Sequence, residues 1–97
     1  MAHKRGAIII DVTPEDIANG KAKSTSSCPI AQALSRTYGG EPYVSEQDLS
    51  LDFPDESKVF YGETTDVAEK FIEDFDHGKK VEPRRFRFIG WWETYEF

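Results

Sequence analysis

A chain of 97 residues with a formal net charge of −6 holds one domain around one core. Hydrophobic residues make up only 38%, but seven Phe, four Tyr and two Trp bring enough large side chains to exclude a disordered chain despite 31% charged residues. One cysteine excludes an internal disulfide, a single Cys with two His argues against structural zinc, and no apolar run approaches the roughly 20 residues that span a bilayer.

Basic residues precede the apolar run Ala7 to Ile10, but Asp11 ends that run too early for an export signal, so a cytoplasmic location is expected. Ala7 to Val12 reads as a largely buried strand, with residues 1–6 mobile ahead of it. Thr13-Pro14-Glu15-Asp16 starts a short helix through a Thr cap, Pro at the first position and acids in the first turn, and Asn19-Gly20 stops it. The polar, Ser-rich residues 21–27 read as a mobile loop. Pro29 then fixes a second helix start and makes Cys28 its N-cap, with Ile30, Ala33, Leu34 and Tyr38 as the apolar stripe and Gly39-Gly40 as the stop.

After Pro42 the period changes to two. Leu49, Leu51 and Phe53 alternate with Ser50 and Asp52, Pro54 to Ser57 has turn chemistry, and Val59, Phe60 and Tyr61 form the return strand of a hairpin. A weaker strand signal surrounds Tyr43 and Val44. Thr64 to Phe75 carries the best helical pattern: Thr65 or Asp66 can cap it, and Asp66 with Glu69 has capping-box spacing. Val67, Ala68, Phe71, Ile72 and Phe75 share its apolar face, and Gly78 follows as the stop. Arg84 to Phe97 is strand-like, and the adjacent Trp91 and Trp92 suggest a bulge or bend at Gly90. A regular strand puts Ile89, Trp91, Tyr95 and Phe97 on the same side as Arg85 and Arg87, a surface something should cover. The fold class is α+β: one small domain over residues 1–97, with a mainly antiparallel sheet packed by two or three short helices.

Charge is unevenly distributed. Glu41 to Asp76 holds twelve acids against Lys58 and Lys70, a net of −10, while Lys79 to Arg87 holds five bases against Glu82, a net of +4. Such asymmetry suggests separate binding faces, although a solvated surface is the commoner reason for charge clusters.

Three sequence blocks carry a resemblance. Asp16-Ile17 and Gly20 lead into Cys28-Pro29-Ile30-Ala31-Gln32-Ala33-Leu34, and Phe71-Ile72-Glu73-Asp74-Phe75-Asp76-His77-Gly78 is followed by Val81, Pro83 and the Phe-rich strand. Together they resemble small hypothetical proteins of bacteriophages and prophages, except that the tail after Ile89 runs longer. The resemblance brings no activity or catalytic residue; it implies a phage setting, a bacterial cytoplasm and a small accessory role.

Cys28 at a helix start would be an activated thiol if a base stood beside it, but His3 and His77 lie at a tail and a helix end, and a structural plug is the preferred reading. Asp11, Glu15 and Asp16 could hold Mg²⁺ or work as acid and base, and Asp74, Asp76 and His77 could form a metal corner; capping and dipole stabilisation account for the first group, and the spacing of the second is non-specific. No catalytic residue, metal ligand or cofactor is therefore assigned. Arg85, Arg87, Trp91, Trp92 and Tyr95 are the expected partner-binding residues of a non-enzymatic module that inhibits or redirects a host macromolecule, anti-defence being one such role. The alternative is a nucleic-acid-binding accessory using basic residues 79–87, with Lys79, Lys80 and Arg84 on phosphates. Host or phage protein is the first expected partner, nucleic acid the second, no membrane is expected, and residues 91–97 offer an interface strand for an isologous homodimer.

Overall fold

The longest pairing in the fold joins its first strand to its last. In the computed structural model, which describes residues 3–95, β1 (His3–Val12) runs antiparallel to β5 (Arg84–Thr94), from His3 opposite Glu93 to Val12 opposite Arg84. Ile8, Ile10 and Val12 of β1 and Phe86 and Phe88 of β5 are buried, while Ile9, Arg85, Arg87 and Ile89 are exposed, as alternation requires. The strand expected to begin at Ala7 begins already at His3, because residues 3–6 find partners in the far half of β5.

Two helices follow β1. α1 (Pro14–Asn19) is held by a reciprocal capping box: Thr13 Oγ1 accepts from the Asp16 N–H at 3.2 Å, and Asp16 Oδ2 accepts from the Thr13 N–H at 3.0 Å. Asp16 is only 5% exposed, and Arg36 of the next helix donates to it through Nε at 3.3 Å and Nη2 at 2.8 Å. Burial pushes the Asp16 carboxyl upward, but the bonds from Arg36 and Thr13 outweigh burial and hold it below its usual value. A carboxylate lowered in this way adds stability above its unfolded pKa, near ~4, and loses that contribution as pH falls through the folded value. Asp16→Ala is expected to cost roughly 2 kcal/mol at neutral pH. Thermal melts across pH should show the difference from wild type narrowing below about pH 4.

α2 (Pro29–Tyr38) buries Ile30, Ala31, Ala33 and Leu34. Its last turn performs a different task. Arg36 Nη2 donates to the Asp11 carbonyl at 2.7 Å, and the Tyr38 hydroxyl bonds both the N–H and the C=O of Ile9 at 3.0 Å. Tyr38, expected in the apolar stripe, is exposed and instead closes part of the outer edge of β1, where a second chain could otherwise pair.

Three shorter strands complete the sheet: β2 (Glu41–Val44), β3 (Asp48–Phe53) and β4 (Lys58–Glu63), the last two joined through a 3-10 turn at Pro54–Glu56. All neighbours are antiparallel, in the order β1-β5-β4-β3-β2. β1 and β2 are the two outer strands, yet α2 packs against both, so the sheet curls about this helix. The loop over residues 21–27 is closed by one internal bond and tied to β2 and α3 by two more. Lys21 N–H donates to Ser27 O at 2.8 Å, Val44 N–H donates to Thr25 O at 2.8 Å, and Lys23 N–H donates to Asp76 Oδ1 at 2.7 Å.

α3 (Asp66–Asp76) connects β4 to β5 across the same face of the sheet as α2. Thr65 is its cap, accepting from the Ala68 N–H at 3.2 Å, and the Asp66–Glu69 box is not formed. Ala68, Phe71 and Ile72 are buried and Phe71 meets Phe86 edge-on at 5.3 Å, whereas Val67, expected on the apolar face, is exposed.

Gly90 makes no bulge. It lies in continuous register between Gly6 on β1 and Gly62 on β4, and what it supplies is space. A Cβ at Gly90 would run into the Tyr61 carbonyl oxygen, one at Gly6 would press on the Trp92 indole, and one at Gly62 on the Phe60 ring. Three adjacent glycines thus leave a strip of bare backbone on the inner face, beside which Phe60 and Trp92 pack with ring centres 5.2 Å apart. The result is an α+β domain with its helices on one face of the sheet and, among the described residues, no helix on the other.

Candidate docking face

Reading the register across the uncovered face gives one continuous row. Arg5 stands opposite Trp91, Trp91 opposite Tyr61, Tyr61 opposite Ser50, and Ser50 opposite Tyr43. The row crosses all five strands and carries three aromatic rings. Beside it on β1 and β5 lie Ala7 and Ile89, then Ile9 and Arg87, then Asp11 and Arg85. Tyr43, Tyr61, Trp91, Ile9 and Ile89 are between 43% and 48% exposed, a grouping of large apolar side chains in water that a fold alone does not require.

Carboxylates border the aromatic row on both sides. Asp48 faces Glu63 directly across β3 and β4, and Glu41 faces Asp52 across β2 and β3. Asp52 accepts from the Tyr95 hydroxyl at 2.7 Å, which raises the Tyr95 pKa to about 12 because the phenolate would sit against a carboxylate. Asp52→Asn should return the Tyr95 ionisation towards its ordinary range near ~10; a spectrophotometric titration compared with Tyr95→Phe isolates that step. Tyr43, Asp48, Ser50, Tyr61, Glu63 and Trp91 are among the residues lining a cleft of about 770 Å³ here.

The residues expected to bind a partner divide between the two faces. Arg85, Arg87 and Trp91 lie together on the uncovered face, as the alternation implied. Arg85 is held by Asp11, Nε to Oδ1 at 2.8 Å, while Arg87 forms no ion pair among the described residues. Trp92 is separate from this group: it points to the inner face, against Phe53, Phe60 and the Lys58 ammonium, because regular pairing through Gly90 sends adjacent residues to opposite sides. Tyr95 is tied to Asp52, and Phe97 lies outside the described residues.

Lys79, Lys80 and Arg84 gather elsewhere, near the end of α3. Lys79 approaches Asp74 at 3.9 Å, Lys80 approaches Glu82 at 3.6 Å, and Arg84 lies over the Phe86 ring at 5.1 Å. Lys80 and Arg84 line a second cleft with Asp66, Lys70, Asp74 and Glu82, so three carboxylates share the place where phosphates would have to sit.

The other candidates have structural employment. Cys28 is buried and its side chain makes no capping hydrogen bond; burial pushes the thiol upward although it sits at the start of α2, the opposite of what a nucleophile needs. Asp11 pairs with Arg85 and Asp16 with Arg36. His77 Nδ1 lies 2.8 Å from the Glu73 carbonyl at the end of α3. Among the described residues no three His, Cys, Asp or Glu side chains converge as a metal site would require.

Sequence reasoning missed Tyr43, Tyr61, Ile9 and Arg5. Ile9 lies within three consecutive isoleucines and Tyr61 within Val59-Phe60-Tyr61, runs whose hydrophobicity hides which residue faces out. Only the register aligns them. No family model, curated protein or solved structure matches the chain.

Proposed function

We propose that this protein is a non-enzymatic binding module that docks on another protein through the uncovered face of its sheet. The observation that carries this reading is the row Tyr43–Ser50–Tyr61–Trp91–Arg5 with Ile9 and Ile89 beside it. Aromatic side chains and Arg are the residue types that anchor protein interfaces, and charged groups at the rim set which partner is accepted. Burial, which raises the Cys28 thiol, argues against that residue as a nucleophile. The sequence resemblance to phage and prophage proteins supports a bacterial cytoplasm as the setting, a host protein as the partner, and inhibition or redirection of that protein as the outcome, a host defence protein being one such target. A protein partner is preferred over nucleic acid because Asp48 and Glu63 border the cleft while Lys79, Lys80 and Arg84 stand elsewhere, each beside an acid or a ring.

The test is affinity capture from bacterial lysate with wild type, with an Ile89→Ser/Trp91→Ser variant, and with Val67→Ser as a control on α3. Wild type and the control should retain the same stoichiometric protein and the double variant should lose it, with all three folded by circular dichroism. Retention of nuclease-sensitive material alone, or capture indifferent to the double variant, overturns the reading.

A further inference from the structure

We propose that the cleft between Tyr43 and Tyr61 receives an arginine side chain of the partner; this rests on the reading that the uncovered face docks a protein. Three features of the cleft select that group. The first is its width. Tyr43 and Tyr61 stand on β2 and β4 with only Ser50 of β3 between them. Two strand spacings separate their backbones by about 9–10 Å. A flat group stacked between two rings needs contacts of roughly 3.5–4.0 Å on each side, which that separation admits. Ser50 is a small, polar floor that leaves the gap unfilled.

The second feature is charge. Asp48 and Glu63 face each other across adjacent strands at one end of the gap, an arrangement that is unfavourable between like charges. Neither meets a cation among the described residues: Asp48 is bonded only by the neutral Ser45 hydroxyl, at 2.8 Å, and Glu63 forms no side-chain hydrogen bond or ion pair. At the other end Glu41 and Asp52 repeat the like-charged arrangement. A cation entering between the rings relieves this repulsion, whereas a nucleotide phosphate would add to it.

The third feature is the pairing of rings with carboxylates. Aromatic faces attract cations, and guanidinium is the cation that can stack flat on a ring while its edge forms paired N–H bonds to a carboxylate. A lysine ammonium satisfies the charge but neither the shape nor the fork. The cleft therefore discriminates arginine from lysine as well as cation from anion.

The experiment is an NMR titration of ¹⁵N-labelled full-length chain with the blocked peptides acetyl-Gly-Arg-Gly-amide and acetyl-Gly-Lys-Gly-amide, and with oligodeoxythymidine. The arginyl peptide should bind saturably, at least threefold more tightly than the lysyl peptide, with shifts centred on Tyr43, Ser50, Tyr61 and Trp91. Asp48→Asn/Glu63→Gln should weaken that binding about tenfold while leaving Tm unchanged or raised, because the variant removes a repulsive pair rather than a supporting one. Tyr61→Leu, which keeps apolar bulk but removes the ring, should also lose the preference for arginine. Equal binding of both peptides, or no saturable arginyl binding by folded wild type, overturns the inference. If lysate capture still depends on Ile89 and Trp91 in that case, the docking reading survives without it. Oligonucleotide binding on the aromatic row would overturn both.

Discussion

Gly90→Ala is expected to be the most damaging single-methyl change in this protein. The added Cβ meets backbone on β4: the Tyr61 carbonyl oxygen, the Tyr61 carbonyl carbon at 2.8 Å and the Gly62 Cα at 2.7 Å. A flexible side chain can rotate away from an intruding methyl, but paired backbone cannot move without breaking the ladder on both sides of β5. Overpacking usually costs 1–3 kcal/mol, and an obstacle made of backbone places this case at roughly 3 kcal/mol or above. That is a large share of the ~5–15 kcal/mol that holds a domain of this size together. Gly78→Ala is the control: its φ of 75° disfavours a side chain, but no atom stands near the new Cβ, so about 1–2 kcal/mol is expected. Chemical denaturation of both variants checks the comparison. If Gly90→Ala is no worse than Gly78→Ala, β4 and β5 do not cross as closely as described.

Phe71→Ala is expected to cost about 3–5 kcal/mol. Phe71 is buried beneath α3 and meets the ring of Phe86 edge-on, and Phe86 in turn stacks on Phe88 at 6.0 Å. Truncation would remove the helix's largest buried side chain and open a cavity above the first half of β5, where β4 has already ended and only β1 pairs. At ~4–8 °C per kcal/mol the Tm should fall by more than about 10 °C. Val67→Ala on the same helix should change little, because that side chain is exposed. A melt showing equal effects would mean that α3 is oriented differently.

Elements whose signals are local were legible in the sequence. Thr13-Pro14, Pro29 and Thr65 each mark a helix start, and the alternation in Leu49-Ser50-Leu51-Asp52-Phe53 and Phe86-Arg87-Phe88 marks strands with one wet face. Arg85, Arg87 and Trp91 could be placed on one surface for the same reason. What could not be read is anything set by pairing across the chain. Gly6, Gly62 and Gly90 are unremarkable singly and become a strip only when β1, β5 and β4 are in register. Likewise Tyr43, Tyr61 and Trp91 lie far apart in sequence and align only once strand order is known. Trp92, expected among the partner-binding residues, is sent inward by continuous pairing through Gly90.

That opposition of Trp91 and Trp92 gives the protein two neighbouring fluorophores in contrasting surroundings. The Trp91 indole stands in water on the uncovered face, and the Trp92 indole lies against Phe53, Phe60 and the backbone at Gly6. Emission quenched by acrylamide or iodide belongs mainly to Trp91, and the shielded, bluer component to Trp92. Occupation of the surface would be seen as loss of quenching with the blue component unchanged, whereas unfolding would shift both. Quenching of the native tryptophans, without labels, therefore separates docking from denaturation.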